Sequence, residues 1–206
     1  MNTIRILVVD DHAIARLGLL SLLETEEGLA VVGQAEDGES AIVQAEELKP
    51  DVVIMDLVMP GMDGVSATRA ISARLPQTKI LVLTTFGGSD DIAHALEAGA
   101  TGALMKNTEI NELIDAIRSV AAGRQVLAPE IRKMLAENPP VPELTPRQME
   151  ILHSVTRGLT NRDIANQLGI TIDGVKDHIN AILAKIGAAN RSEAVAIAFR
   201  KHLLKI

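Results

Sequence analysis

Val52-Val53-Ile54-Met55-Asp56 stands between Pro50-Asp51 and Pro60-Gly61. Four consecutive large apolar residues in that setting read as a short strand buried on both faces, the pattern of a strand inside a parallel sheet. Asp56 ends the run. In open parallel sheets ligands bind beyond the carboxyl ends of the strands, so a carboxylate there is placed for chemistry. A single strand-end Asp more often only caps the next turn, so the other strand ends must be compared.

Working outward, strand-like and helix-like patterns alternate five times over the first 122 residues. Short apolar runs cover Ile4 to Val9, Leu29 to Ala35, Val52 to Met55, Lys79 to Leu83 and Gly102 to Met105. Helix patterns cover Ala13 to Leu23, Glu39 to Leu48, Val65 to Arg74, Asp91 to Ala98 and Ile110 to Ala122. Repeated strand–helix units predict an α/β doubly wound, five-stranded parallel sheet. Strand one runs into Asp10-Asp11, strand three into Asp56, strand four into Thr84-Thr85 and strand five into Lys106. Three carboxylates converging on one crevice repel one another unless a cation sits among them, and an all-oxygen donor set suits Mg²⁺. With a hydroxyl and an ammonium beside it, Asp56 has what phosphoryl transfer to an aspartate requires. The structural alternatives are that Asp11 caps the helix beginning near His12, and that Lys106 is a solvated surface charge.

Composition bounds the reading. The chain has 206 residues, 47% of them hydrophobic, with Phe86 and Phe199 as its only aromatic side chains, so its cores are aliphatic. There is no cysteine, which excludes disulfides, thiolate metal sites and thiol catalysis. No run approaches the roughly 18 apolar residues of a membrane span, and the amino terminus lacks a secretory pattern. A cytoplasmic protein without a membrane partner is expected. Charge is split: residues 1–142 carry 11 Lys/Arg against 21 Asp/Glu, and residues 143–206 carry 9 against 6. The join, Pro139-Pro140-Val141-Pro142, forbids helix continuation and favours a stiff, extended spacer. The expected domains are 1–122, a linker at 123–143, and 144–206.

The second part is helical in pattern. Thr145-Pro146-Arg147-Gln148 and Thr160-Asn161-Arg162-Asp163 are helix starts with a hydroxyl cap and an acid or amide three residues on, and Thr171 begins a third helix. Leu168-Gly169-Ile170 is a short turn of the helix-turn-helix kind. In the third helix Val175, Ile179, Ile182, Leu183 and Ile186 form the apolar stripe. The opposite face carries Asp173, Asp177, Asn180, Ala181 and Ala184, flanked by Lys176, His178 and Lys185. Such a face can lie in a major groove while the cations meet phosphates.

Asp10-Asp11, the stretch Asp56-Leu57-Val58-Met59-Pro60-Gly61-Met62-Asp63-Gly64, Thr84, and Gly99 to Lys106 together resemble the receiver domain of bacterial two-component response regulators. Leu144 to Leu152, Gly158 to Ala165, Val175-Lys176-Asp177-His178 and Ala189 to Ala194 resemble the LuxR-type DNA-binding domain. Nearly the whole chain is thus similar to NarL/FixJ-type response regulators. The resemblance implies that Asp56 is the phosphoacceptor, served by a sensor histidine kinase, and that Asp10, Asp11, Asp56 and the Val58 carbonyl hold Mg²⁺. Thr84 and Lys106 would sense the phosphoryl group. Contacts to double-stranded promoter DNA are expected from Thr160, Asn161, Arg162, Thr171, Lys176, Asp177, His178, Asn180 and Lys185, in an active homodimer. Such a protein removes its own phosphate but is not a dedicated enzyme. A phosphatase of the haloacid dehalogenase type needs a second Asp two residues after the nucleophile, where this chain has Val58. Three departures from the family keep a phosphate-independent regulator or interaction protein open as the alternative. Ala103 replaces the usual switch aromatic, Gly174 replaces a Thr, and Asp177 puts an acid on the groove face.

Overall fold

In a computed structural model of the chain, residues 3–85, 89–137, 144–200 and 203 are described. The chain divides into two compact units, Met1–Pro140 and Val141–Ile206.

The first unit alternates strand and helix: β1 (Ile4–Val9), α1 (Ala13–Leu23), β2 (Leu29–Ala35), α2 (Gly38–Leu48), β3 (Val52–Asp56), α3 (Gly64–Arg74), β4 (Lys79–Thr84), α4 (Ser89–Glu97), β5 (Gly102–Met105), α5 (Ile110–Ala121), β6 (Val126–Leu127) and α6 (Pro129–Glu137). The strands form one parallel sheet in the order β2-β1-β3-β4-β5-β6. All five residues of β3 are buried, as a strand covered on both faces must be. The helices supply that cover: α2 packs on α3 and α3 on α4, while α5 lies against β3, β4, β5 and β6. After β2 the chain returns across β1 to start β3, so the strand order reverses between β1 and β3. That reversal opens a crevice at their carboxyl ends, where the register Val9↔Met55 brings Asp10 beside Asp56.

The sheet has one strand more than the sequence predicts. Val126 and Leu127 pair with Gly102 and Ala103, and α6 follows with Ile131 fully buried in the same core. Two residues are too few to show a period, and one isoleucine among charged residues reads as apolar cover only once the sheet edge beneath it is known. Residues 123–137 of the expected linker are therefore part of the first unit. Its proline-rich remainder lies outside the described residues.

The loop from β3 to α3 is shaped by a close approach. Gly64 donates its N–H to Leu57 O at 3.0 Å, and Asp63 caps α3 by accepting from Ser66 N at 2.8 Å. A Cβ on Gly64 would lie 2.0 Å from the Asp56 carbonyl oxygen and 2.8 Å from Leu57 Cα, both backbone atoms that cannot swing away. Gly64→Ala is expected to destabilise the first unit by about 1–3 kcal/mol or more, the range for forcing atoms into a packed site. Thermal unfolding measures it, and an unchanged midpoint would show that the loop yields freely.

The second unit is helical: α7 (Pro146–Thr156), α8 (Asn161–Leu168), α9 (Ile172–Ile186) and α10 (Arg191–Arg200). The hydroxyl starts do what their spacing predicts. Thr145 with Gln148 and Thr160 with Asp163 form reciprocal capping boxes, and Thr171 accepts from Gly174 N at 3.0 Å. Gly169 closes α8 in the left-handed region at φ 63°, which lets the chain turn into α9 within three residues. Ile151, Leu152, Ile164, Val175, Ile182 and Ala198 make the core.

Candidate functional site

Asp10, directly after β1, and Asp56, the last residue of β3, are buried, with 1% and 4% of their surface exposed. Lys106, just past β5, reaches both: its Nζ lies 2.7 Å from Asp10 Oδ2 and 2.6 Å from Asp56 Oδ2. Lys106 is thus no solvated surface charge. The remaining oxygens are engaged by backbone, since His12 N donates to Asp10 Oδ1 at 2.8 Å and Val58 N approaches Asp56 Oδ1 at 3.4 Å. Asp11 is not the cap of α1 either. His12 occupies that position without a side-chain cap, and Asp11 Oδ1 instead meets His12 Nδ1 at 2.6 Å. Thr84, buried at the end of β4, sits one residue beyond the Asp56↔Leu83 register pair.

Burial is the largest influence on Asp56 and, with the charge of Asp10, pushes its pKa up from 3.8 against the opposing pull of Lys106 and the Val58 N–H. Burial alone would lower Lys106. Its hydrogen bonds to Asp10 and Asp56, and their charge, outweigh that and hold it above 10.5. One ammonium faces two carboxylates, so the crevice keeps an excess of negative charge that a divalent cation would relieve. One oxygen each from Asp10, Asp11 and Asp56 and a ring nitrogen of His12 lie within 4.8 Å of one another. Opposite ligands of an octahedral Mg²⁺ stand about 4.2 Å apart, so the carboxylates need to close only slightly to fit one.

Two residues here escaped the sequence reading. His12 joins the carboxylate cluster. Arg16, one turn along α1, donates from Nη1 to the Asp10 carbonyl at 2.6 Å and from Nε to Gln34 Oε1 at 3.0 Å, fastening the end of β1. A half-buried arginine on a short helix carries no motif that would announce this.

In the second unit α9 presents Asp173, Lys176, Asp177, Asn180, Ala181 and Ala184 to solvent, while Val175, Ile182 and Ile186 are buried. The expected groove face is therefore the open face of this unit. Lys176 is exposed and pairs with Asp173 at 2.9 Å, and that hydrogen bond holds its pKa above 10.5. His178 is half-buried. Lys185 behaves differently: its Nζ lies 2.9 Å from Oε1 of Gln148, the capping-box residue of α7. At the start of α8, Thr160 and Arg162 are exposed and Thr171 is exposed at the start of α9, but Asn161 is tied in by Arg191 Nη1 at 3.2 Å. Arg191 also donates to Leu159 O, and Arg147 donates to Leu168 O at 2.8 Å. Both arginines hold helix ends together, a role their exposed-looking sequence positions hide.

Comparison with known proteins matches these two units to two families. Residues 6–118 match the family described as response regulator receiver domain, and residues 142–198 match bacterial regulatory proteins of the luxR family. The response regulator protein VraR of Staphylococcus aureus (strain Mu3 / ATCC 700698) is 40% identical over 208 residues, covering 98% of this chain and all of that one. The crystal structure of response regulator ChrA from a heme-sensing two-component system is 37% identical, with a TM-score of 0.59, and covers 99% of this chain and 100% of that one. The structure of the response regulator RcsB in complex with DNA is 25% identical, with a TM-score of 0.67 over 97% of this chain and 99% of that one. Among the described residues no helix is long and apolar enough to cross a membrane.

Proposed function

We infer what the two sites do from one premise: this chain belongs to the LuxR-family response regulators, which join a receiver domain to a helix-turn-helix DNA-binding domain. Asp56 accepts a phosphoryl group from a sensor histidine kinase, and the phosphorylated chain binds promoter DNA through α9. The observation that carries this reading is the buried pair Asp10 and Asp56 bridged by Lys106 at the switch point of the sheet. A carboxylate oxygen of Asp56 attacks phosphorus in line as the bond from phosphorus to the kinase histidine nitrogen breaks, and the nitrogen keeps the electron pair. Lys106 and Thr84 hold the transferred oxygens, and Asp10, Asp11, Asp56 and the Val58 carbonyl are the proposed Mg²⁺ ligands. When bound, Mg²⁺ offsets the added negative charge. Water attacking the phosphorus regenerates Asp56, which gives the protein its own dephosphorylation without making it a dedicated enzyme. These steps belong to the cytoplasm, where the kinase phosphodonor and DNA meet.

On DNA, α9 enters the major groove with Asn180 and Asp177 toward base edges. Lys176, His178 and Lys185, with Thr160, Asn161, Arg162 and Thr171, lie toward the backbone. One helix reads only a few base pairs, so an active homodimer reads two half-sites about one helical turn apart. Selection of bound genomic DNA with and without a phosphoryl donor tests the whole reading: a common sequence enriched with the donor is the expected result. The same enrichment without it would favour the phosphate-independent alternative, for which Ala103 speaks. It is fully buried within the core at β5 and has no ring to relay a change at Thr84.

Asp11 separates cation binding from acceptance. Only its side chain among the three carboxylates is partly open, 25% exposed. Asp11→Ala is expected to lower Mg²⁺ affinity and acetyl phosphate labelling together, with labelling recovered at high Mg²⁺. A normal Mg²⁺ titration in that variant removes Asp11 from the ligand set.

A further inference from the structure

We propose that His12 makes the acidic crevice a site for a first-row transition-metal ion, bound in preference to Mg²⁺, by adding an imidazole nitrogen to the carboxylates. The proposal rests on the reading of that crevice as a cation site. The ring nitrogen of His12 belongs to the same cluster as the oxygens of Asp10, Asp11 and Asp56, all within 4.8 Å of one another. Its position is fixed from two sides. The His12 backbone N–H donates to Asp10 Oδ1 at 2.8 Å, and Nδ1 stands 2.6 Å from Asp11 Oδ1 and 3.6 Å from Asp10 Oδ1. The side chain is 72% exposed, so it meets the cluster from the solvent side and can turn without displacing core atoms.

The chemistry of the donor set then decides the ion. Mg²⁺ takes oxygen ligands and gains little from imidazole, whereas affinity for nitrogen-bearing sites rises from Mn²⁺ through Fe²⁺ and Co²⁺ to Ni²⁺. A crevice of carboxylates alone would favour Mg²⁺ by availability. With His12 in reach, the same crevice becomes a mixed imidazole and carboxylate set of the kind such ions prefer. Asp11 and His12 would exchange their mutual hydrogen bond for bonds to the ion, so neither is left without a partner.

The test uses the full chain and the metals alone. Co²⁺ and Mg²⁺ are titrated calorimetrically into the wild type, His12→Ala and His12→Asn, and the visible absorption of Co²⁺ reports a nitrogen ligand. The wild type is expected to bind Co²⁺ more tightly than Mg²⁺. Both variants should lose about ten-fold or more in Co²⁺ affinity, with the absorption band weakened, while Mg²⁺ affinity stays within about two-fold. The chain's other histidines remain in each variant, so the difference counts His12 alone. An unchanged ratio of Co²⁺ to Mg²⁺ affinity in His12→Ala overturns the proposal. So does wild-type Co²⁺ binding in His12→Asn, which would mean that the residue only positions Asp11 through a hydrogen bond. Failure of the wild type to bind either ion would overturn the cation reading itself, and this inference with it.

Discussion

Asp56→Asn is expected to abolish labelling by acetyl phosphate or a histidine kinase in Mg²⁺ while the first unit stays folded and no less stable. The substitution keeps the shape of a fully packed strand end and removes the nucleophile, so the loss is total rather than graded. The stability half follows from the charge balance. Burial raises the pKa of Asp56 above 3.8, so the folded protein holds that proton more tightly than the unfolded chain does. Stability from this group is present below 3.8 and falls as pH rises through the raised value, leaving a cost at neutral pH. Asparagine removes that cost. Lys106 keeps Asp10 at 2.7 Å, so the exchange does not strand a buried ammonium. Acid-labile, hydroxylamine-sensitive phosphate and a melting curve are the two readouts. Undiminished phosphate in the variant would remove Asp56 as acceptor, and a melting point well below the wild type without metal would contradict the electrostatic account.

That a sequence could lead to this residue at all has a simple physical cause. A central parallel strand is buried on both faces, so Val52 to Met55 had to be continuously apolar, and the first polar residue after it had to mark the sheet edge. The same logic fixed Asp10 after Val9 and Lys106 after Met105, and the ranges of β1, β2 and β5 coincide with those read from pattern. Helix starts were legible because Thr145, Thr160 and Thr171 cap through local hydrogen bonds that need nothing distant. What stayed hidden depends on partners far along the chain. β6 and α6 exist because a sheet edge at Gly102 and Ala103 is there to pair with and cover. Lys185 looks like a phosphate-facing cation on a helical wheel, yet it meets Gln148, 37 positions away, in space. Arg16, too, finds the Asp10 carbonyl only because β1 and α1 pack side by side. Local patterns give elements and their ends; which cation serves structure and which faces a ligand is set by the packing.

That distinction shapes the expected behaviour of α9 on DNA. Asn180 is exposed on the face opposite the buried Val175, Ile182 and Ile186, and a side-chain amide there can form two hydrogen bonds to adenine. Asn180→Ala should therefore cost roughly 1–3 kcal/mol on the selected operator and leave binding to scrambled DNA nearly intact. Lys176 should act without regard to sequence. Its ammonium pairs only with exposed Asp173, at 2.9 Å, and can exchange that partner for a phosphate. Lys176→Ala should weaken binding to both DNAs alike and shallow the dependence on salt by about one unit. Asp173→Ala should strengthen both, because it frees Lys176 and removes a charge that repels the phosphates. Lys185, held by Gln148, should show a smaller change in salt slope than Lys176 and a larger loss in melting temperature. Fluorescence anisotropy on operator and scrambled duplexes at two salt concentrations separates these outcomes. Equal losses on both DNAs for Asn180→Ala would take it out of base reading, and no effect of Lys176→Ala on either would mean that α9 does not enter the groove.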